Sequence, residues 1–170
     1  MRRLLIGRDR IEVCRRRSER QIGTAGARGR DASIQQEMRP VATIAVYDGE
    51  NVYDFVRGRN MDQFADCISR YKLLVTFNGK TFDVPFIQQH LRVPVPAAHI
   101  DLRYVLASLG LKGGLKRCER TLGLDRGDLE DIDGYFAVLL WHDYQRHGNE
   151  KALETLLASN IADVVNLATI

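Results

Sequence analysis

The sequence predicts an α/β layer fold in which a mixed sheet with an antiparallel hairpin at its edge is flanked by helices. Two β-type runs, residues 41–47 and 52–56, are separated by Asp48-Gly49, which is a strong hairpin turn signal. A short apolar run at residues 73–77 is typical of a buried strand. After Leu102 the sequence has the pattern of helices separated by glycines, so the C-terminal half is expected to be rich in helix.

Two helices are predicted between the strands. The first has apolar residues at the i, i+3, i+4 and i+7 spacing of one helix face, with Asn60 as its N-cap and Gln63 completing a capping box; the apolar positions are Phe64, Cys67, Ile68 and Tyr71. The second covers about residues 83–91 and is ended by the proline-containing segment 93–96. Residues 99–102 then form a short strand or its edge, and this order of strands and helices is typical of an α/β fold.

The positive charge of the chain is concentrated near its N-terminus. The net charge of the 170 residues is +3, but residues 1–40 hold 11 Arg, no Lys and five acidic residues, a net charge of +6. The rest holds 14 basic and 17 acidic residues, a net charge of −3. We therefore divide the chain into an Arg-rich segment, 1–40, and a domain, 41–170. The segment is interpreted either as a disordered tail or as an arm that binds phosphates.

Composition excludes several classes of protein. No apolar run approaches the roughly 20 residues that span a membrane, and the N-terminal residues lack the pattern of a secretory signal. The three cysteines, Cys14, Cys67 and Cys118, are odd in number and widely spaced, so they fit neither a disulfide framework nor a zinc site. We expect a cytoplasmic protein without a membrane partner, and the sequence leaves its oligomeric state open.

Asp83 lies where a strand is followed by a helix. It comes six residues after the predicted strand 73–77, with Asn78 and Lys80 in the intervening loop. Ligands in open α/β sheets gather at the carboxyl ends of strands, and a carboxylate there can hold a metal. The alternative is that Asp83 caps the helix. Lys80 can meet a phosphate or be an ordinary surface lysine.

Asn160 and Asp163 interrupt an apolar stripe of the last helix. They share a face with Leu153, Leu156 and Leu167 by the three- and four-residue spacing. An unpaired polar group buried there would cost about 1–3 kcal/mol, so a metal, a backbone group or water is expected to satisfy each one. Alternatively, Asp163 lies at the edge of the stripe and faces solvent.

Asp101, in the short strand 99–102, has two interpretations. It is a metal ligand or the N-cap of the helix that follows, and the frequency of Asp at N-caps favours the cap. Trp141 and Tyr144 lie three residues apart on one helix face, which favours core packing over base stacking.

Four segments together resemble a known family: residues 77–86, 99–102, 131–144 and 158–167. They resemble the DEDD superfamily of 3′–5′ exonucleases, and are most similar to its YprB-like ribonuclease H-like domains. The resemblance covers about residues 41–170, and the combination of spaced motifs is more specific than any one of them. It implies a ribonuclease H-like mixed sheet flanked by helices and a domain that hydrolyses phosphodiester bonds of nucleic acid, with a single-stranded 3′ end as partner.

The resemblance also implies a site of four carboxylates that hold two Mg²⁺ or Mn²⁺ ions. Asp83 matches the Asp of the second motif and Asp163 that of the last, where Ser159 stands in place of a Tyr or His. The predicted catalytic residues are thus Asp83, Asp163 and Ser159. The predicted metal ligands are Asp83, Asp163 and Asp101, and the predicted substrate-binding residues are Asn78, Lys80 and Asn160.

The first motif of the family is missing. An Asp-x-Glu pair is expected on a strand before residue 41, but residues 1–40 contain none. Leu4–Ile6 and Ile11–Val13 are the segments able to replace that strand. Two dications would be under-neutralised, so we expect weak or no hydrolysis. The alternative is a catalytically dead module that binds nucleic acid or acts as a scaffold; an endonuclease or junction resolvase on the same fold is a third interpretation.

Overall fold

The computed structural model describes residues 3–7, 42–129, 132 and 134–170. Of the Arg-rich segment 1–40, only residues 3–7 are described; the rest of that segment, including the strand predicted at residues 11–13, lies outside the described residues. Within them the chain forms five strands, β1 to β5, and these are Arg3–Gly7, Thr43–Tyr47, Val52–Val56, Leu73–Thr76 and Ala98–Asp101. It also forms six α-helices, α1 to α6, and these are Phe64–Ile68, Asp83–Phe86, Leu102–Ser108, Leu115–Thr121, Gly134–His147 and Glu150–Thr169.

The five strands form one mixed sheet in the order β3-β2-β1-β4-β5. β2 pairs antiparallel with both β3 and β1, and β4 pairs parallel with both β1 and β5. The segment Arg3–Gly7 therefore lies at the centre of the sheet, where it satisfies the backbone groups of β2 on one side and β4 on the other. Leu4–Ile6, one of the two segments predicted to replace the first strand, does so, and it carries no acidic residue.

Side chains of β2 alternate between the two faces of the sheet, as the two-residue period of a strand requires. Ile44 and Val46 belong to a core that includes Phe64 and Ile68 of α1. Ala45 points to the opposite face, toward α6. This alternation gives the sheet two buried faces, which is why all but the last residue of β2 are fully buried.

The second face is covered by α6, and α5 packs against α6. Leu153 and Leu156 of α6 meet Trp141 of α5 and Val56 of β3 in one cluster. Further along α6, Val164 and Leu167 pack against Ala45 and Val75. The apolar stripe predicted for the last helix is therefore confirmed, and Trp141 is a core residue as expected. None of the helices in the described residues is long and apolar enough to cross a membrane.

The predicted hairpin is present, and its turn is closed by Asp48. The Asp48 carboxylate accepts hydrogen bonds from the backbone N–H groups of Glu50 and Asn51, at 3.0 and 2.7 Å. Gly49 adopts φ 101°, a conformation that glycine takes without strain. The antiparallel pairing of β2 with β3 follows from this turn.

The predicted capping box at Asn60 is wrong. Asn60 does precede a short 3₁₀ turn, Met61–Gln63, but its side chain makes no capping bond. Its amide instead bonds the preceding strand: Oδ1 accepts from the Val56 N–H at 2.7 Å and Nδ2 donates to the Asp54 carbonyl at 2.9 Å. The side chain thus closes the end of β3, because those backbone groups would otherwise be unpaired.

The described part of the chain confirms the predicted α/β class with a helix-rich C-terminal half. The helix predicted over residues 83–91 is one short α-helix, α2, continued by a π-helical turn, Ile87–Leu91. Arg92 ends it in the left-handed conformation, with φ 56°. The short strand predicted at residues 99–102 is present as Ala98–Asp101, and it lies at the edge of the sheet.

Replacement of Leu153 by alanine is expected to destabilise the domain by about 2–5 kcal/mol, because its side chain is 1% exposed and its removal leaves a cavity under the sheet. The matched control is Leu139→Ala in α5, where the side chain is 45% exposed and the expected change is within about 0.5 kcal/mol. Urea unfolding measures both. Equal losses in the two variants would contradict the packing of α6 described above.

Candidate functional site

Asp101 fixes the loop at the carboxyl end of β4. Its Oδ1 accepts from the N–H of Asn78 at 2.7 Å, and its Oδ2 accepts from the N–H of Lys80 at 3.0 Å. Oδ1 also accepts from the N–H of Arg103 at 3.1 Å, which makes Asp101 the N-cap of α3. The favoured interpretation of Asp101 as a cap is therefore correct, and both carboxylate oxygens are engaged by backbone donors.

Asn78 takes a left-handed conformation, with φ 63°, which few residues other than glycine and asparagine adopt readily. Its side-chain oxygen accepts from the Arg103 guanidinium and from the Thr81 hydroxyl, the latter at 3.2 Å. The backbone of Asn78 is thus bound by Asp101, and its side chain is bound by Thr81 and Arg103. The contact with Asn78 places the Arg103 guanidinium beside the loop. Lys80 contributes its backbone N–H to the Asp101 carboxylate, while the residue as a whole is exposed.

Gly79 lies against Thr76, the last residue of β4. A Cβ at Gly79 would stand 2.4 Å from Thr76 Oγ1 and 2.5 Å from Thr76 Cβ, and Thr76 is fully buried. The Thr76 hydroxyl accepts from the Gly79 N–H at 3.1 Å and lies 2.9 Å from His99 Nε2. Glycine is therefore required at position 79, because the backbone approaches Thr76 too closely for a Cβ. Through the Thr76 hydroxyl, the loop is also connected to His99 of β5.

A cleft of about 430 Å³ opens beside this loop. It lies between the end of β4, helix α3 and the turn that precedes α4. Arg103 and Lys112 supply positive charge, and Phe77 and Asn78 supply an aromatic ring and an amide. The remaining lining residues are small or apolar, and they are Ala107, Leu111, Gly113 and Gly114. An aromatic ring beside two cations is a combination that suits the base and phosphates of a nucleotide.

Asp83 is the first residue of α2 and is half-buried. The residue at the N-cap position is Phe82, so the alternative in which Asp83 itself caps the helix is not the arrangement observed. A carboxylate in the first turn still interacts favourably with the helix dipole. Whether Asp83 is catalytic stays a prediction.

Asp163 pairs with a buried arginine. Arg126 Nη2 lies 2.5 Å from Asp163 Oδ1, and the same guanidinium is held by Glu119 through Nε at 2.6 Å and Nη2 at 2.7 Å. The side chains of Arg126 and Glu119 are 0% and 1% exposed, whereas that of Asp163 is 22% exposed. The alternative in which Asp163 simply faces solvent is therefore excluded, and its partner is a guanidinium.

This ion-pair group extends to Asn166 and is flanked by Lys116. Asn166 donates to Glu119 Oε1 at 2.9 Å, and Lys116 donates to the carbonyl oxygens of Leu129, at 3.3 Å, and Ile132. Burial raises the pKa of Asp163, and the charges of Arg126 and Lys116 oppose that rise. Burial lowers the pKa of Arg126, but Glu119 and Asp163 outweigh it and raise the pKa above its usual value.

Ser159 and Asn160 lie on the buried side of α6. Asn160 is 0% exposed; its Nδ2 donates to the Thr43 hydroxyl at 3.3 Å, while its Oδ1 is buried without a hydrogen-bond partner in the described part of the chain. Ser159 is also buried, one turn before Asp163. A substrate contact by Asn160 or a catalytic role for Ser159 would require this packing to open, and both roles stay predictions.

The described residues do not fit a two-metal centre. Among them, no three Asp, Glu, His or Cys side chains are grouped so that they can hold one metal ion. Asp101 is engaged by three backbone N–H groups, and Asp163 by a guanidinium. Hard dications need several oxygen ligands that are not already neutralised. The predicted use of Mg²⁺ or Mn²⁺ therefore stays a prediction.

Two parts of the site were not expected from the sequence. Glu119 and Arg126 are seven residues apart, on a helix and in the loop after it, so no periodic pattern relates them to Asp163. Arg103 and Lys112 are separated by the end of α3 and a glycine-containing turn. A run of charged residues between 112 and 126 is visible in the sequence, but it is equally typical of a solvated helix face.

The fold and the comparisons with known proteins support a nuclease-type domain. Residues 33–170 match the family model RNase_H_2 of the RNase_H superfamily, and the chain belongs to this family. The ribonuclease H-like fold expected from the resemblance is thereby confirmed. No curated protein is a significant match to the chain.

Among solved structures, the chain is similar to the family B DNA polymerase from the hyperthermophilic archaeon Pyrobaculum calidifontis. The TM-score is 0.62 and the sequence identity 19%. The match covers 99% of this chain and 24% of the polymerase chain, so this chain spans about a quarter of the polymerase's length. At this identity the likeness shows a shared fold.

Gly79→Ala is expected to destabilise the domain by about 1–3 kcal/mol, because the new Cβ would overlap the buried Thr76 side chain. Gly114→Ala is the matched control: a Cβ there meets no atom within 4 Å, and the expected loss is less than about 1 kcal/mol. Thermal unfolding of both variants tests this. A stable Gly79→Ala protein would show that the loop is free to move away from β4.

Stability is expected to fall as the pH drops below 6.5 because of His99. Burial lowers the pKa of His99 from its ordinary value of 6.5; nearby Asp101 opposes this effect and Lys80 adds to it. The ring lies among partly buried groups, with Nε2 2.9 Å from the Thr76 hydroxyl oxygen, and burial there disfavours the protonated, charged ring. A group whose pKa is depressed on folding contributes stability above its unfolded value, and this is lost as pH falls through the folded value.

The measurement is the unfolding midpoint as a function of pH from 7 to about 5. His99→Gln is expected to remove the extra loss in this range, whereas His142→Gln, at an exposed position, keeps it. An unchanged pH profile in His99→Gln would refute the role given to this histidine.

Proposed function

We propose that this domain binds single-stranded nucleic acid and hydrolyses it weakly or not at all, as a degenerate member of a metal-dependent 3′–5′ exonuclease lineage. The observation that carries the proposal is the pairing of Asp163 with Arg126. Asp163 matches the last carboxylate of the exonuclease motifs, and here a guanidinium neutralises it. Asp101, another predicted ligand, is occupied by the backbone of the Asn78 loop.

The binding half of the proposal is supported by the cleft beside Asn78. Arg103 and Lys112 line it together with the ring of Phe77. Phosphates attract the cations, and a base has a π-face that can stack on an aromatic ring. The loop is held by Asp101 before any ligand arrives, so little ordering is required on binding.

An active metal-dependent 3′–5′ exonuclease is the second candidate. It is favoured by the motif contexts of Asp83 and Asp163 and by membership of the RNase_H_2 family. Such an enzyme would need further carboxylates beyond those grouped in the described residues.

Incubation of a 5′-labelled single-stranded oligonucleotide with the protein and Mn²⁺ separates the two candidates. We expect retention of full-length label, with the same result for Asp83→Asn and Asp163→Asn. A ladder that shortens from the 3′ end, is abolished by chelator and is missing in both variants would establish the exonuclease instead. Internal cleavage products would favour an endonuclease.

Binding is expected to depend on the two cations of the cleft. Arg103→Ala/Lys112→Ala should lower the affinity for a single-stranded oligonucleotide about tenfold or more, and reduce the slope of log K against log salt by about 2. Lys72→Ala/Lys151→Ala is the control, since it removes the same charge at two exposed positions that are not part of the cleft lining. Fluorescence anisotropy across a salt series measures both, and equal losses would remove the cleft from the proposal.

A further inference from the structure

We infer that the Arg126 guanidinium takes the place of a divalent cation at Asp163. The inference rests on the proposed function, because it gives the physical reason for weak or absent hydrolysis. It goes further by naming the residue that excludes the metal. It also assigns to Glu119 the role of a second carboxylate around the same cation.

The geometry is that of one cation between two carboxylates. Arg126 Nη2 lies 2.7 Å from Glu119 Oε1 and 2.5 Å from Asp163 Oδ1. A single nitrogen thus bridges two oxygens from two helices, α4 and α6. Divalent cations hold carboxylate oxygens at about 2.0–2.6 Å, so the nitrogen occupies the space that such an ion would need.

The charges of the group are already balanced. Arg126 contacts both carboxylates, those of Glu119 and Asp163, and the positive charge of Lys116 also acts on Asp163. Arg126 and Glu119 are buried, so water screens the group poorly. A dication added here would meet the positive charge of the guanidinium and find no uncompensated carboxylate.

The contacts of the guanidinium are directed at the two carboxylates. Nε and Nη2 of Arg126 contact Glu119, and Nη2 also contacts Asp163. Nη1 is buried with no hydrogen-bond partner in the part of the chain that the structure describes. The position of Arg126 is that of a cation held between Glu119 and Asp163.

The experiment measures Mn²⁺ binding without nucleic acid, by isothermal titration and by the shift of the unfolding midpoint. The wild-type protein is expected to show no specific site. Arg126→Gln leaves Glu119 and Asp163 facing each other, and is expected to bind Mn²⁺ at least about tenfold more tightly than wild type and to be stabilised by it. Arg126→Gln/Asp163→Asn lacks one of the two carboxylates and is expected to lose this gain.

Arg126→Gln removes a buried charge and is expected to unfold more easily, so a second variant is measured with it. Arg126→Met removes the same positive charge, keeps both carboxylates and fills the site with an unbranched apolar side chain. Its expected Mn²⁺ affinity lies above that of wild type, like that of Arg126→Gln. A folded Arg126→Met protein with an affinity no higher than that of wild type would overturn the inference.

The opposite pattern would overturn it as well. If wild type binds Mn²⁺ through Asp163, and the Arg126 variants lose that binding, then Arg126 orients the carboxylate instead of replacing the metal. Nucleic-acid binding is scored separately on wild type. Failure of the metal result with intact nucleic-acid binding removes this inference alone, whereas absence of nucleic-acid binding by the wild-type protein removes the proposed function.

Discussion

The buried interaction of Arg126 with Glu119 and Asp163 is the constraint on which the rest of this site depends. It joins α4 to α6 across the loop after α4, and its guanidinium is 0% exposed. Buried charges are tolerated only when they are paired, so the three side chains must be placed together or not at all. Helix α6 packs on the sheet through Val164 and Leu167. The contact of Asp163 with Arg126 connects this helix to the loop between α4 and α5.

A second carboxylate, Asp101, organises the loop at the carboxyl end of β4. It caps α3 and accepts two N–H groups of the loop around Asn78, and that loop is further held by the contact of Gly79 with Thr76. The carboxylates of Asp101 and Asp163 are therefore both bound by other groups of the protein. The resemblance to 3′–5′ exonucleases implies a metal site built from carboxylates, whereas in the described residues two of the expected carboxylates, Asp101 and Asp163, bind backbone N–H groups and a guanidinium.

Much of the fold could be predicted from the sequence because the signals are local. Asp48-Gly49 specifies a hairpin, and the leucines of α6 specify a buried face, and both are present. The place of Arg3–Gly7 in the sheet could not be predicted, because three apolar residues in a row, Leu4 to Ile6, do not indicate which strands they pair with. The capping box at Asn60 failed because strand-end carbonyl and amide groups competed for the same side chain. The N-cap role of Asp101 could be predicted because Asp is common immediately before a helix, and this depends only on neighbouring residues.

The sequence by itself determined the α/β class, the hairpin, the apolar stripe of the last helix and the family of the chain, because each depends on neighbouring residues or on spaced motifs. Only the tertiary structure decided what Asp163 does. Its partner, Arg126, is 37 residues away in the chain. The sequence shows that a polar group on a buried face needs a partner, but the folded positions of α4 and α6 decide which charge can reach it.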